Sequence, residues 1–400
     1  MTLTQAETRL CEAIEARRAD LLDDLRLHVE TPTGGFNTPA LDETRQRFIT
    51  RLEALGARTE LVPGEPKPDW LPGGASDTIP PTAICRRPSD TPRSVLIAGH
   101  LDTVHDPDGP FRELTIAPDG KTATGPGCVD MKGGLVIAMG ALEALHETGI
   151  PASWGFLMNS DEETGSFHSA KAIANESARY DLGLALEPAM AGGELAIERS
   201  GSGQFMIECR GRAAHVGRSF SEGVSAVTAL ARRILEVSEM PDPAHGRILS
   251  IGPLEGGVAT NAVPDRARAW GNARFPSPEA ADEIDAMLNA LATPDDAMPA
   301  TRVYTCFNRP AKPLTPQTER LALEARKAAE DLGQSLPFAS TGGVCDGNIM
   351  QHAGLPTIDT LGVRGGGLHT PDEWIELESL VERCQLLALL IARLCAHGAE

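Results

Sequence analysis

The chain has 400 residues, 41% of them hydrophobic and 23% charged, and a formal net charge of −20. That length exceeds what one hydrophobic core usually organises, so two domains are expected. A charge this negative argues against nucleic acid and anionic membrane as partners.

In chain order, Glu7 to His28 has one helical periodicity, and a second helix is predicted near Asp42–Leu55. "PTAICRRP" and "SVLIAGH" read as strands. The pattern then becomes strand–helix–strand: "SVLIAGH", the helix "LVIAMGALEAL", the strand "SWGFLMN", the helix "AKAIANESARY" and the strand "LGLALEP". Apolar strands without alternation, separated by helices, imply a parallel sheet covered on both faces. Residues 200–309 change character. "GQFMIECRG", "RILSIGPLEGG", "RARAWGNARF" and "TRVYTCFN" read as strands, with "GVSAVTALARRILEVSEM" and "PEAADEIDAMLNALA" as helices. The order βαββαβ is the ferredoxin-like arrangement, complete in itself. From Thr315 the α/β rhythm resumes with a helix over 319–332, the strand "LPFAST", a short helix, "PTIDTLGV" and a long helix from Leu377. The expected fold class is α/β: a mainly parallel-sheet catalytic domain, residues 1–199 and 310–400, with an inserted ferredoxin-like domain, residues 200–309.

Eight cysteines are scattered with no CxxC pair, which reads as reduced thiols in a cytoplasmic protein. The opening "MTLTQAETRL" lacks a basic region followed by an apolar core, so no secretory signal is expected. The longest apolar runs, such as "LLALLIARLC", fall well short of the ~20 residues of a membrane span.

In an open parallel sheet, ligands bind beyond the carboxyl ends of the strands. "SVLIAGH" ends in His100, followed by Asp102. "SWGFLMNSDEE" runs into Asp161, Glu162 and Glu163. "LGLALEP" reaches Glu187, and "PTIDTLGVRGGGLH" leads to His369. Asp130, in "TGPGCVDMKGG", sits at the first βα turn on the same edge. The ordinary reading of Asp130 is a helix N-cap, and that of Glu162 and Glu163 is solvated loop charge. The topology favours another, since acids and imidazoles crowded onto one rim repel unless cations neutralise them. Asp102, two residues along an extended chain from His100, can supply the acceptor that a ligating imidazole needs on its other nitrogen.

The segments "GHLDTV", "TGPGCVDMKGG", "MNSDEETGS", "ALEP", "GRAAHVG" and "GGGLHTPDE" together resemble the M20 family of di-zinc metallopeptidases and amide hydrolases, most nearly its glutamate carboxypeptidase (carboxypeptidase G2-like) branch. The resemblance implies that Asp130 bridges two zinc ions, followed by a non-proline cis peptide. It implies that His100 and Glu187 complete one site, and Glu163 and His369 the other, with cobalt or manganese as possible substitutes. Glu162 becomes the general base acting on the metal-held water, and Asp102 the partner of His100. The inserted domain becomes a lid and homodimerisation surface. Its His215 stabilises the developing oxyanion, commonly across the dimer, and Asn261 contributes to the same pocket. Arg309 binds a substrate carboxylate, as do the backbone N–H groups of Gly342 and Gly343 in the loop "STGGVCDGN". Arg274 reads as structural, and Cys345 as packing. The implied activity is hydrolysis of the amide bond of a C-terminal amino acid or an N-acyl amino acid. The alternatives are an N-acetyl or N-succinyl amino-acid deacylase, an aminopeptidase (disfavoured by Glu187) or a non-catalytic metal-binding relative.

Overall fold

The computed structural model describes residues 3–34, 37–72 and 79–397. Its central sheet has six strands in the order Arg58–Val62, Thr82–Arg87, Ser153–Asn159, Ser94–His100, Leu182–Ala185, Thr357–Ile358. The last four run parallel, in a register that sets His100 beside Asn159 and Ala98 beside Ala185. Successive side chains of a strand point to opposite faces, and here both faces are covered. Val95 and Ile97 pack with Trp154, Phe156 and Leu184 on one side. Leu96, Ala98 and Leu157 pack with Ile173, Ile349 and Met350 on the other. Two dry faces leave no position for polar alternation, which explains the unbroken apolar runs.

The helices Gly133–Glu147 and Glu378–Ala396 pack together on one face, with Gln5–Ala16 and Arg18–Val29 against them; Ala170–Ser177 and Asp346–His352 cover the other. The periodicity of Glu7 to His28 resolves into two helices instead of one, broken at Arg17 (φ −89°, ψ 9°). Arg17 reaches Glu143 and Glu147 from the break, and each helix buries its own stripe, Leu10 and Ile14 in one, Leu21 and Leu25 in the other. The first is fixed by a capping box between Thr4 and Glu7.

Three further details depart from the sequence reading. The two strands at one end of the sheet, Arg58–Val62 and Thr82–Arg87, are antiparallel to their neighbours. The strand within "LPFAST", Phe338–Thr341, leaves the main sheet and pairs with Leu195–Arg199. A small antiparallel sheet of Thr115–Ile116, Thr122–Thr124, Trp374–Glu376 and Gly365–Gly366 joins the segment before Asp130 to the segment around His369. Strands of two or three residues are too short to show a period.

Between these pieces lies a second unit with four antiparallel strands in the order Ile248–Gly256, Arg266–Phe275, Gly201–Arg210, Ala300–Arg309. The helices Ala226–Ser238 and Pro278–Asn289 pack on its sheet around Phe205, Ile207, Phe275, Ile284 and Leu288. Ser225 and Ser277 cap the two helices. Among the described residues no helix is long and apolar enough to cross a membrane.

Candidate metal centre

Because the four strands from Ser153–Asn159 to Thr357–Ile358 are parallel, their carboxyl ends share one edge. The strand Ser94–His100 ends on His100 itself. Ser153–Asn159 runs on into Glu162 and Glu163, Leu182–Ala185 stops just short of Glu187, and Thr357–Ile358 leads round to His369. Asp130 arrives on the turn that opens at Gly127 (φ 70°) and feeds the helix Gly133–Glu147. Its backbone is not helical (φ −116°, ψ 94°), its peptide to Met131 is cis, and among the described residues no side chain caps the helix that follows. The N-cap reading of Asp130 therefore fails. Gly134 lets the turn lie against the Glu187 strand, since a Cβ there would collide with the Leu186 carbonyl.

One oxygen of Asp130, Oδ1, lies 3.2 Å from His100 Nε2, and the other, Oδ2, lies 3.4 Å from His369 Nε2. His369 Nε2 is also 3.3 Å from Glu163 Oε2. One ligand atom from each of His100, Asp130 and Glu187 falls within 4.8 Å of the others, and the same holds for Asp130, Glu163 and His369. Asp130 belongs to both triads. His369 holds a left-handed backbone (φ 63°), a conformation costing a non-glycine residue ~1 kcal/mol or more.

The electrostatics of the pocket call for added positive charge. Burial, then the charges of Glu162 and Asp130, push the Glu187 carboxyl well above its usual pKa, and burial also raises Glu163. Burial opposes protonation of His100, yet hydrogen bonds to Asp102 and Asp130 and the charge of Glu162 carry its pKa well above the ordinary value. Hydrogen bonds to Asp130 and Glu163 raise His369 to about 10. Burial raises the Asp130 pKa less than the hydrogen bonds and charges of His100 and His369 lower it, so Asp130 stays ionised. An ionised Asp130 beside glutamates drawn toward neutrality and imidazoles drawn toward charge marks a place where cations are stabilised. Each triad supplies one imidazole nitrogen and two carboxylates, a donor set that fits zinc, cobalt or manganese.

The remaining expected residues are placed as follows. Asp102 serves His100 mainly through its main chain: His100 Nδ1 is 2.9 Å from the Asp102 carbonyl and 3.5 Å from its carboxylate. The carboxylate instead accepts the N–H groups of Glu162 (3.2 Å) and Glu163 (2.9 Å), fixing the turn from which these two side chains diverge. Glu162 is not in either triad. Burial raises its pKa to about 7, opposed by the charges of Arg309 and His100.

Arg309 is neither a surface residue nor an open substrate clamp. It is 3% exposed, and it donates to Glu162 Oε1 (2.8 Å), the Glu162 carbonyl (2.9 Å) and Ser166 Oγ (2.7 Å). Ser166 in turn bonds Asp346, the first residue of the helix after the glycine-rich loop. Among the described residues, Arg274, read from sequence as structural, has a buried Nη1 without a hydrogen-bond partner, as does Arg309 at Nε; burial and then the charge of Arg309 lower the Arg274 pKa.

His215 and Asn261 come together on an exposed two-stranded ladder, where Val216 N–H donates to the Asn261 carbonyl (3.0 Å). Among the described residues, the hydrogen bonds of His215 stay within its own loop, its Nδ1 accepting from Gly217 N–H. Gly342 and Gly343 lie on the loop after Phe338–Thr341, Gly342 beside a cavity of about 250 Å³ that Arg199 also lines. Cys345 is fully buried, and burial pushes its thiol well above the usual range, consistent with packing. Sequence reasoning passed over Glu373, buried within the quoted motif "GGGLHTPDE". An acid four residues after a proposed ligand, in a segment too short to show a period, was the available signal.

Known proteins resemble this chain in sequence and in fold. The description "Peptidase family M20/M25/M40" matches residues 96–393. Carboxypeptidase G2 of Pseudomonas sp. (strain RS-16) is 28% identical over 311 residues, 76% of this chain and 74% of its own. Succinyl-diaminopimelate desuccinylase 2 of Shewanella loihica is 26% identical over 330 residues, 76% of this chain and 86% of its own. Among solved structures, aminopeptidase PepT from Bacillus cereus superposes with a TM-score of 0.72 at 24% identity, covering 94% of this chain and 98% of that one, which speaks to the fold alone. With three quarters of its length matched and the two triads in place, the chain belongs to peptidase family M20/M25/M40, a family of metal-dependent peptidases and amide hydrolases.

Proposed function

We propose that the protein is a two-zinc amide hydrolase that releases a C-terminal amino acid from a small peptide or from an N-acyl amino acid. The observation that carries this reading is Asp130, whose two oxygens face two different histidines. His100, Asp130 and Glu187 would hold one ion, and Asp130, Glu163 and His369 the other. Zinc bound there would polarise the scissile carbonyl and acidify a nearby water. Glu162 takes the proton from the attacking water and delivers it to the leaving nitrogen. Arg309 aims that carboxylate, and Asp102 holds the backbone that separates Glu162 from Glu163.

In this reading residues 1–199 and 310–400 form the catalytic domain and residues 200–309 a lid through which two protomers associate. Support comes from the separate core of the inserted unit and from Ile248 and Leu254, 47% and 61% exposed on its edge strand. His215 and Asn261 would then reach the partner protomer's reacting carbonyl. With Arg309 engaged by Glu162 and Ser166, the substrate carboxylate would fall to the N–H groups of Gly342 and Gly343. Eight unpaired cysteines favour a reducing, cytoplasmic setting. A deacylase of N-succinyl or N-acetyl amino acids remains the second reading, favoured by the desuccinylase relative.

A panel of N-acyl amino acids and dipeptides, varied on each side of the amide in turn, tests the proposal. Turnover is expected to require a free carboxylate on the released amino acid. A requirement for a free amino terminus, with C-terminal amides cleaved equally well, would show an aminopeptidase instead.

A further inference from the structure

We propose that Glu373 is a positioning residue for the metal centre: its carboxylate sets the backbone of the Asp130 turn and thereby the direction in which Asp130 presents its two oxygens. The inference rests on the two-ion reading above. Glu373 lies in the hairpin that carries His369, between Gly365–Gly366 and Trp374–Glu376, and is 1% exposed. Its Oε1 accepts the N–H groups of Val129 and Asp130, each at 2.9 Å. Its Oε2 accepts the N–H of Gly127 at 2.9 Å and stands 2.5 Å from His105 Nε2. One carboxylate therefore joins three segments: the turn bearing Asp130, the loop that follows His100 and Asp102, and the hairpin bearing His369. Next to it, Trp374 pairs with Thr124 and Glu376 with Thr122, so the same hairpin also grips the chain just before the turn.

The turn needs an outside acceptor. Its residues precede the first regular turn of the helix Gly133–Glu147, so the N–H groups of 127, 129 and 130 have no carbonyl four residues back within that helix. Val129 and Asp130 are buried, where an unmatched donor is costly. An ionised carboxylate accepts at about four lone-pair positions and meets all four contacts. A glutamine keeps one oxygen and sets an NH₂ group against N–H donors. An aspartate keeps both oxygens but is one methylene short of the turn. Either change frees the backbone of Asp130, and with it the direction of Oδ1 toward His100 and of Oδ2 toward His369.

The test compares full-length wild type with Glu373→Gln and Glu373→Asp after metal removal. Zinc affinity is measured by calorimetry, the absorption spectrum is recorded with cobalt, and the melting of the metal-free proteins is followed. Both variants are expected to bind both ions ~10–100-fold more weakly and to change the cobalt spectrum. At saturating zinc they should lower kcat and leave KM in place. Wild-type zinc affinity and cobalt spectrum in both variants, even with a lowered melting temperature, would make Glu373 a structural brace and overturn the proposal. If wild type itself binds fewer than two ions, the two-ion reading fails and takes this one with it, so the two failures are distinguishable. Should the Glu373 variants not fold, His105→Gln breaks one of the four contacts: weakened zinc binding is expected, and unchanged affinity and spectrum would overturn the proposal.

Discussion

Replacing Arg309 with methionine removes a guanidinium of similar length and leaves no donor in its place. Arg309 makes three hydrogen bonds of 2.7–2.9 Å while almost fully buried, two to Glu162 and one to Ser166. Deleting one half of a buried ion pair costs about 3–5 kcal/mol, because the other charge stays behind. Here the stranded partner is the Glu162 carboxylate, whose side chain is 11% exposed. A positioned general base contributes about 10²–10⁴-fold. R309M loses both the aim of Glu162 and the charge that opposes the rise of its pKa, so kcat at neutral pH should fall by ~10²-fold or more, with KM little changed. Arg309→Lys should fall between the two, since one ammonium cannot reproduce the planar fork. The assay is steady-state hydrolysis of an N-acyl amino acid at saturating zinc, read beside the unfolding temperature. A variant that melts like wild type, keeps kcat and raises KM would separate Arg309 from Glu162 and return it to the substrate carboxylate.

Glu162→Gln should retain both zinc ions by elemental analysis while kcat drops by about 10²–10⁴-fold; undiminished turnover would remove Glu162 from the mechanism. The acid limb of stability has its own probe in His28, which is 2% exposed and stacked on Phe48 with ring centroids 4.5 Å apart. Burial lowers its pKa below the ordinary 6.5, so the unfolded chain takes the proton first as pH falls. Its stabilising contribution is full above that value and is lost as pH drops toward the depressed folded pKa. Denaturation of His28→Phe should therefore show a flatter loss between about pH 7 and pH 5 than wild type. Parallel profiles would contradict the assignment.

How much of this was legible in the sequence depended on the length of each signal. The parallel strands announced themselves because burial on both faces leaves runs such as "SVLIAGH" wholly apolar. The ends of those runs, read from sequence, put His100, Glu163, Glu187 and His369 on one rim. The break at Arg17 was invisible, since two amphipathic helices in tandem continue the same period across one residue. The partners of Arg309 and Asp102 were hidden for another reason. An arginine after a strand looks alike whether it meets substrate or Glu162, and an acid near a histidine does not show whether its carboxylate or its carbonyl makes the bond. Such choices are settled by packing between segments far apart in the chain, as with Glu373 and the turn at Gly127–Asp130.

Asp130 is proposed to hold two cations at once, one on each oxygen. Equilibrium dialysis against zinc, with elemental analysis of metal bound per chain, tests it on wild type and Asp130→Ala side by side. Two ions per wild-type chain are expected, and D130A should lose both at the same free zinc. One ion in the wild type, or a variant that keeps one at undiminished affinity, would contradict it.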